Sequence, residues 1–417
     1  MRSSSWPLEP AHSPEDVGLS SCRLQAIASV LHRDIDQGMI PGAVVLVARK
    51  GRVAWYEAAG FEERDDPARM MQRHSVFRIA AMTRPVVSVA ALTLVEEGRL
   101  ALCDPVERYI PEFGGLEVGV EHVDTRTGQR SLMLEPLSRS ITVHDLFRHT
   151  SGLTYGQFGD SLVQRRYRDS DLMHPGQTNA GMVATLATLP LQCQPGTAFE
   201  YGMSTDVLGR VIEIVSGMDL ERFIADRVTG PLRMHATGFR LAAQAGAGLA
   251  LPLRQRGGAP AALFDYDERN PPRWHSGGAG LLSTAGDYAR FCQMLLNGGM
   301  LDGVRLLSRK SVELMLCDHL PAGVGHGGST QGLGINAPLP ELGQGYGLGV
   351  GVRHAAGLCP VPGSNGDFFW GGALGTYFWA DPREELIAVL MLQENDIATR
   401  AWYRAFLRNV VYGAVQD

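Results

Sequence analysis

The stretch VFRIAAMTRPVVSVAALTLVEEG, Val76 to Gly98, frames the whole chain. Its apolar residues predict a helix over Pro85 to Glu97, with Ala81 and Arg84 at the helix start. A spacing of three puts these two side chains on one helical face. Neither is reactive in the usual sense: Ala has no nucleophile, and a guanidinium stays protonated to about pH 12 and beyond. Ser88, one turn beyond Arg84, is expected to point into the core.

Working outward, Cys22 to Gln37 reads as a helix, and PGAVVLVARKGRVAWYEAAG as two strands around a Lys50-Gly51 turn. At the far end, LGTYFWADPREELIAVLMLQ is a second hairpin turned at Asp381 to Glu384, followed by a helix from Asp396 to about Val411. Between them, helical stretches alternate with Pro- and Gly-rich loops. This pattern predicts an α/β protein whose central antiparallel sheet, flanked by helices, is built from both chain ends, with a mostly helical domain inserted. Residues 1–75 and 281–417 form the expected sheet domain and residues 76–280 the helical one. The polar segment Gly114 to Ser138 is expected to be an excursion from the core.

The 417 residues exceed one small core, which fits two structural units. Hydrophobic residues make up 45% of the chain, and no apolar run reaches the roughly 18 residues of a membrane span. A net charge of -6 without a basic cluster argues against nucleic acid as a partner. The opening MRSSSWPLEPAHSPEDVG has no apolar segment before its prolines and acids, so a cytoplasmic location is expected. Six scattered cysteines without a C-x-x-C pair, and the absence of H-E-x-x-H, lead to no expected disulfide framework or metal. The glycine-rich GQGYGLGVGV lacks the strand-then-helix context of a dinucleotide loop, so no cofactor is expected. Of the 38 Lys plus Arg, only Lys50 and Lys310 are Lys, so Arg stands almost wherever a positive charge is needed.

The segments FRIAAMTRP, ITVHDLFRHTSGLTYG, PGTAFEYGMSTDVLG, SGGAGLLSTAGDYARFCQMLLNGG and WGGALGTYFWADP occur in one order. In this the chain resembles the β-lactamase-related serine hydrolases, especially class C β-lactamases and family VIII carboxylesterases, which include transesterases. The resemblance implies a β-lactamase/penicillin-binding-protein-like fold. In that family an S-x-x-K motif supplies the nucleophile and its base, a Tyr one loop away assists, and two backbone N–H groups hold the oxyanion. Carried over, the Ser position is Ala81, the Lys position Arg84 and the Tyr is Tyr201. The strand motif facing them is Trp370, Gly371 and Gly372, and the N–H groups of Ala81 and Ala373 would form the oxyanion hole. His275 is a candidate cleft-lining residue. HTSGL, His149 to Leu153, reads as a structural loop rather than a catalytic one.

The frame is therefore expected to survive without its reactive atoms. The first reading is a natural non-hydrolytic homologue that binds an ester, amide or other carbonyl compound, or does acid-base chemistry through Tyr201 with its pKa lowered by Arg84. The second is a serine carboxylesterase or acyltransferase whose nucleophile was changed to Ala81. The third is a non-catalytic interaction scaffold. Oligomeric state is not legible.

Overall fold

The computed structural model describes residues 6–241, 248–253 and 272–417. The expected helical domain, 76–280, thus includes two stretches outside the described residues. Eight strands form the central sheet: β1 (Glu9–Pro10), β2 (Gly42–Arg49), β3 (Arg52–Gly60), β4 (Gln344–Tyr346), β5 (Gly351–Arg353), β6 (Phe368–Gly371), β7 (Tyr377–Asp381) and β8 (Leu386–Leu392). Their spatial order is β1-β3-β2-β8-β7-β6-β5-β4. The two chain ends meet at its centre, where β2 pairs antiparallel with β8 from Ala43↔Leu392 to Arg49↔Leu386. Every neighbouring pair is antiparallel except the two-residue parallel contact of β1 with β3.

Strand alternation divides the core in two, because successive side chains point to opposite faces. Ala43, Val45 and Val47 of β2 face one layer, with Leu24, Ile27 and Leu31 of α1 (Ser21–Asp36) and Tyr403 and Leu407 of the C-terminal helix. Val44, Leu46 and Ala48 face the other, with Val86, Val87 and Ala90 of α2 (Thr83–Glu96) and the helical region beyond it. Both faces of β2 are buried, which is why its sequence is a continuous apolar run. Helix α3 (Ser204–Ser216) packs on α2, and α4 (Ala285–Leu296) lies against β2 and β8.

The segment Gly114 to Ser138 stands apart from the central sheet. It is an ordered hairpin, Glu117–Val123 paired with Arg130–Pro136. Its Val118 and Gly119 are buried while Arg130–Pro136 is mostly exposed. So few buried positions leave no apolar alternation from which the strands could be read.

Candidate active-site frame

The turn before α2 is a single 3-10 turn, Ala80–Met82, entered through Ala80 at φ +44. That left-handed value is costly for a residue with a Cβ, so the surroundings must enforce it. Five bonds do so. Met82 N–H donates to Ile79 O at 3.0 Å, and Tyr288 Oη–H to Met82 O at 2.8 Å. Leu281 N–H donates to Thr83 Oγ1 at 3.1 Å, Gln393 Nε2–H to Arg78 O at 3.1 Å, and Thr376 Oγ1–H to Ile79 O at 3.2 Å. The result is a rigid perch for Ala81, which is 8% exposed.

Gly372, just past the end of β6, abuts the same turn: a Cβ there would come within 2.6 Å of Ile79 O, so only glycine fits. A Cβ at Gly371 would meet the Arg404 guanidinium at 2.7 Å. Arg404 also donates to Gly372 O at 2.7 Å, fixing this bend from the C-terminal helix. Ala373, next along, is exposed. Neither the Ala81 nor the Ala373 N–H donates to an acceptor among the described residues.

Arg84 occupies the buried end of the site at 1% exposure. One terminal nitrogen donates to His149 Nε2 at 2.6 Å and lies 3.3 Å from both Gly202 O and Thr205 Oγ1. The other donates to Tyr155 Oη at 2.7 Å. The guanidinium also lies over the Tyr201 ring, 4.2 Å from its centroid, in cation–π geometry. Because Arg only donates, His149 Nε2 must accept and its Nδ1 must carry the proton. The 3.4 Å approach of Gly202 N–H to Nδ1 is then packing rather than a hydrogen bond. Burial and the neighbouring cation push the His149 pKa well down, keeping the ring neutral. Burial pulls the Arg84 pKa down, but the surrounding Tyr155, Tyr201, Tyr346 and Asp206 outweigh it, and the net direction is up. Arg84 is a permanent cation.

Tyr201 is 4% exposed, and its Oη accepts from Trp370 Nε1–H at 3.2 Å. Its N–H donates to Ser329 Oγ at 2.9 Å. From the sequence, Arg84 is expected to lower the Tyr201 pKa. Burial is the larger influence and raises it, with Arg84 and the Trp370 bond opposing, so the net direction is up. Arg84 does act in the expected direction, but complete burial of the Tyr201 hydroxyl outweighs it.

Ala81, Arg84, Tyr201, Trp370 and the Gly371–Ala373 bend are thus gathered at one place. His275 is turned elsewhere: its ring packs on Phe239 at 4.9 Å and its Nε2 faces Glu221, in a separate surface groove. Two residues at the centre carry no signal of their role in the sequence. His149 reads there only as part of a structural loop, and Tyr155 only as a member of the HTSGLTYG segment. A positive φ of 56 at His149 is what turns its ring toward Arg84. Ser88 is buried, as expected.

Residues 27–409 match the family model described as Beta-lactamase. Protein Rv1367c of Mycobacterium tuberculosis is 37% identical over 372 residues, covering 86% of this chain and 87% of its own length. Esterase EstB of Burkholderia gladioli is 29% identical over 409 residues, covering 92% and 93%. Among solved structures, "EstCE1, a hydrolase with promiscuous acyltransferase activity" superposes with a TM-score of 0.74 at 26% identity, covering 96% of this chain and 99% of that one. No helix among the described residues is long and apolar enough to cross a membrane.

Proposed function

The chain belongs to the Beta-lactamase family, and within it we propose a non-hydrolytic member whose cleft binds an acyl or other carbonyl-bearing small molecule. The observation that carries this reading is the anchoring of Arg84, which spends its donors on His149, Tyr155, Gly202 and Thr205. A residue so placed braces the helix start and accepts no proton. The position three residues earlier, Ala81, supplies no nucleophile. What supports binding is the frame itself: the Ala80 perch, the exposed Ala373 and two unengaged amide N–H groups suited to a carbonyl oxygen. Tyr201, with its pKa raised, is a proton donor at neutral pH and not a base.

The relatives named as an esterase and as a hydrolase with acyltransferase activity point to small esters as the ligand class. The test is native mass spectrometry of the protein with a panel of short-chain aryl and alkyl esters. Saturable binding with the ester recovered intact supports the reading. Turnover above the buffer rate, or no binding by any ester that a hydrolytic relative accepts, contradicts it.

A further inference from the structure

We infer that Asp219, Glu221 and His275 form a binding site for a borderline divalent transition-metal ion, with Zn2+ as the type ion, in a surface groove whose lining includes none of Ala81, Arg84 and Tyr201. One ligand atom from each residue lies within 4.8 Å of the others. His275 Nε2 and Glu221 Oε2 are already 3.6 Å apart. Zinc binds nitrogen and oxygen at about 2.0–2.2 Å, so tetrahedral ligand atoms stand roughly 3.4 Å from one another. Only the Asp219 carboxylate has to swing inward. Asp219 is exposed, so its carboxylate can turn on its terminal bond while Oδ1 stays near Arg222 N–H.

The histidine is the observation that lifts this trio above an ordinary acidic cluster. His275 Nε2 is buried and, among the described residues, has no partner within hydrogen-bond distance, the nearest carboxylate oxygen being Glu221 Oε2 at 3.6 Å. A buried polar atom left unpaired points to an absent ion or water. Its ring is held by Phe239, so the lone pair is aimed at the carboxylates rather than free to turn to solvent.

The backbone beneath is also fixed. Ser276 Oγ–H and Gly278 N–H both donate to the buried Asp206 on α3, which pins the turn that carries His275. Leu220 N–H donates to Glu213 Oε1 at 3.2 Å, which pins the segment between Asp219 and Glu221 to the same helix. Two competitors limit affinity. Arg222 N–H takes Asp219 Oδ1 at 2.9 Å, leaving Oδ2 for the metal. The Arg240 guanidinium stands 3.3 Å from Glu221 Oε1. A bound ion would hold the 219–221 segment to the 274–278 turn, which makes the site a structural clip with water completing its coordination.

The experiment is equilibrium dialysis of the untagged full chain against Zn2+ at pH 7.5 with metal quantified by mass spectrometry, and Co2+ absorption as the ligand-sensitive readout. Cys22, Cys103 and Cys317 are free and exposed, and thiolates are zinc ligands in general, so differences between variants decide. His275→Ala and, separately, Glu221→Gln should each lose one equivalent or weaken it at least tenfold. Arg240→Ala should tighten the same equivalent severalfold, an effect no general destabilisation produces. The Co2+ spectrum of that equivalent should lack thiolate charge-transfer bands. Wild-type binding unchanged by His275→Ala and Glu221→Gln, or an Arg240→Ala protein that binds no tighter, overturns the proposal.

Discussion

The Arg84 guanidinium donates to His149 Nε2 at 2.6 Å, a contact between residues 65 apart in sequence that ties the start of α2 to the His149 loop. With the Tyr155 bond at 2.7 Å, it turns the position of a base into a structural brace. Removing it should be expensive. Arg84→Ala leaves His149 Nε2 and Tyr155 Oη buried without a donor beside a cavity, and should cost about 2–5 kcal/mol in urea unfolding. Arg84→Lys should cost less but remain destabilising, because one ammonium cannot reproduce a planar fork reaching two partners. A neutral Arg84→Ala would show that the brace carries no weight.

Ala80→Gly should stabilise the protein by roughly 0.5–1 kcal/mol, since glycine adopts a φ of +44 freely while Ala does not, less the entropy glycine loses on folding. Ala80→Val should destabilise it and displace Ala81. Chemical unfolding of the two variants checks both signs, and a stabilising Val would contradict the strained perch.

Much of this frame was legible in the sequence, for identifiable reasons. The β2 and β8 strands carry continuous apolar runs that only a doubly covered sheet accommodates, and Trp370-Gly371-Gly372 and Tyr201 sit in ordered motifs that locate the cleft. Arg84's partners were not legible, because His149 and Tyr155 reach it through a left-handed backbone turn and long-range packing that leave no periodic signal. The direction of the Tyr201 pKa was hidden for a related reason: sequence shows that a cation is near but not that it lies over the ring, nor that burial is complete. His275 follows Trp274 and precedes Ser276 and Gly278, which do touch the Asp206 side of α3, yet its own ring leaves on the other side of the turn.

Glu200 supplies a pH-dependent test. Burial raises its carboxyl to about 6 against the bonds from Thr154 and Ser329. Below about pH 4.5 the folded and unfolded chains both hold this proton, and between about 4.5 and 6 the folded chain holds more of it. Stability from this group therefore falls as pH rises through that window, by about 2 kcal/mol in all. Glu200→Gln should gain on the wild type at pH 8 relative to pH 4.5, measured as the difference between their unfolding free energies. A difference independent of pH would refute the assignment.

Tyr201→Phe leaves Trp370 Nε1–H buried and without its acceptor, and should cost about 1–3 kcal/mol. The same change should weaken ester binding severalfold if Tyr201 donates to the bound ligand. Full retention of binding together with the stability loss would place Tyr201 in the scaffold alone.

The central claim, that the frame is kept while acyl-serine chemistry is gone, is tested most directly by intact-mass analysis after exposure to a fluorophosphonate, on the wild type and on Ala81→Ser/Arg84→Lys. The wild type should remain unmodified, and the double variant should gain one adduct on the introduced serine, with ester hydrolysis rising by about 10²–10⁴ over Ala81→Ser alone if the lysine restores general-base help. A stoichiometric adduct on any serine of the wild-type protein would contradict the account.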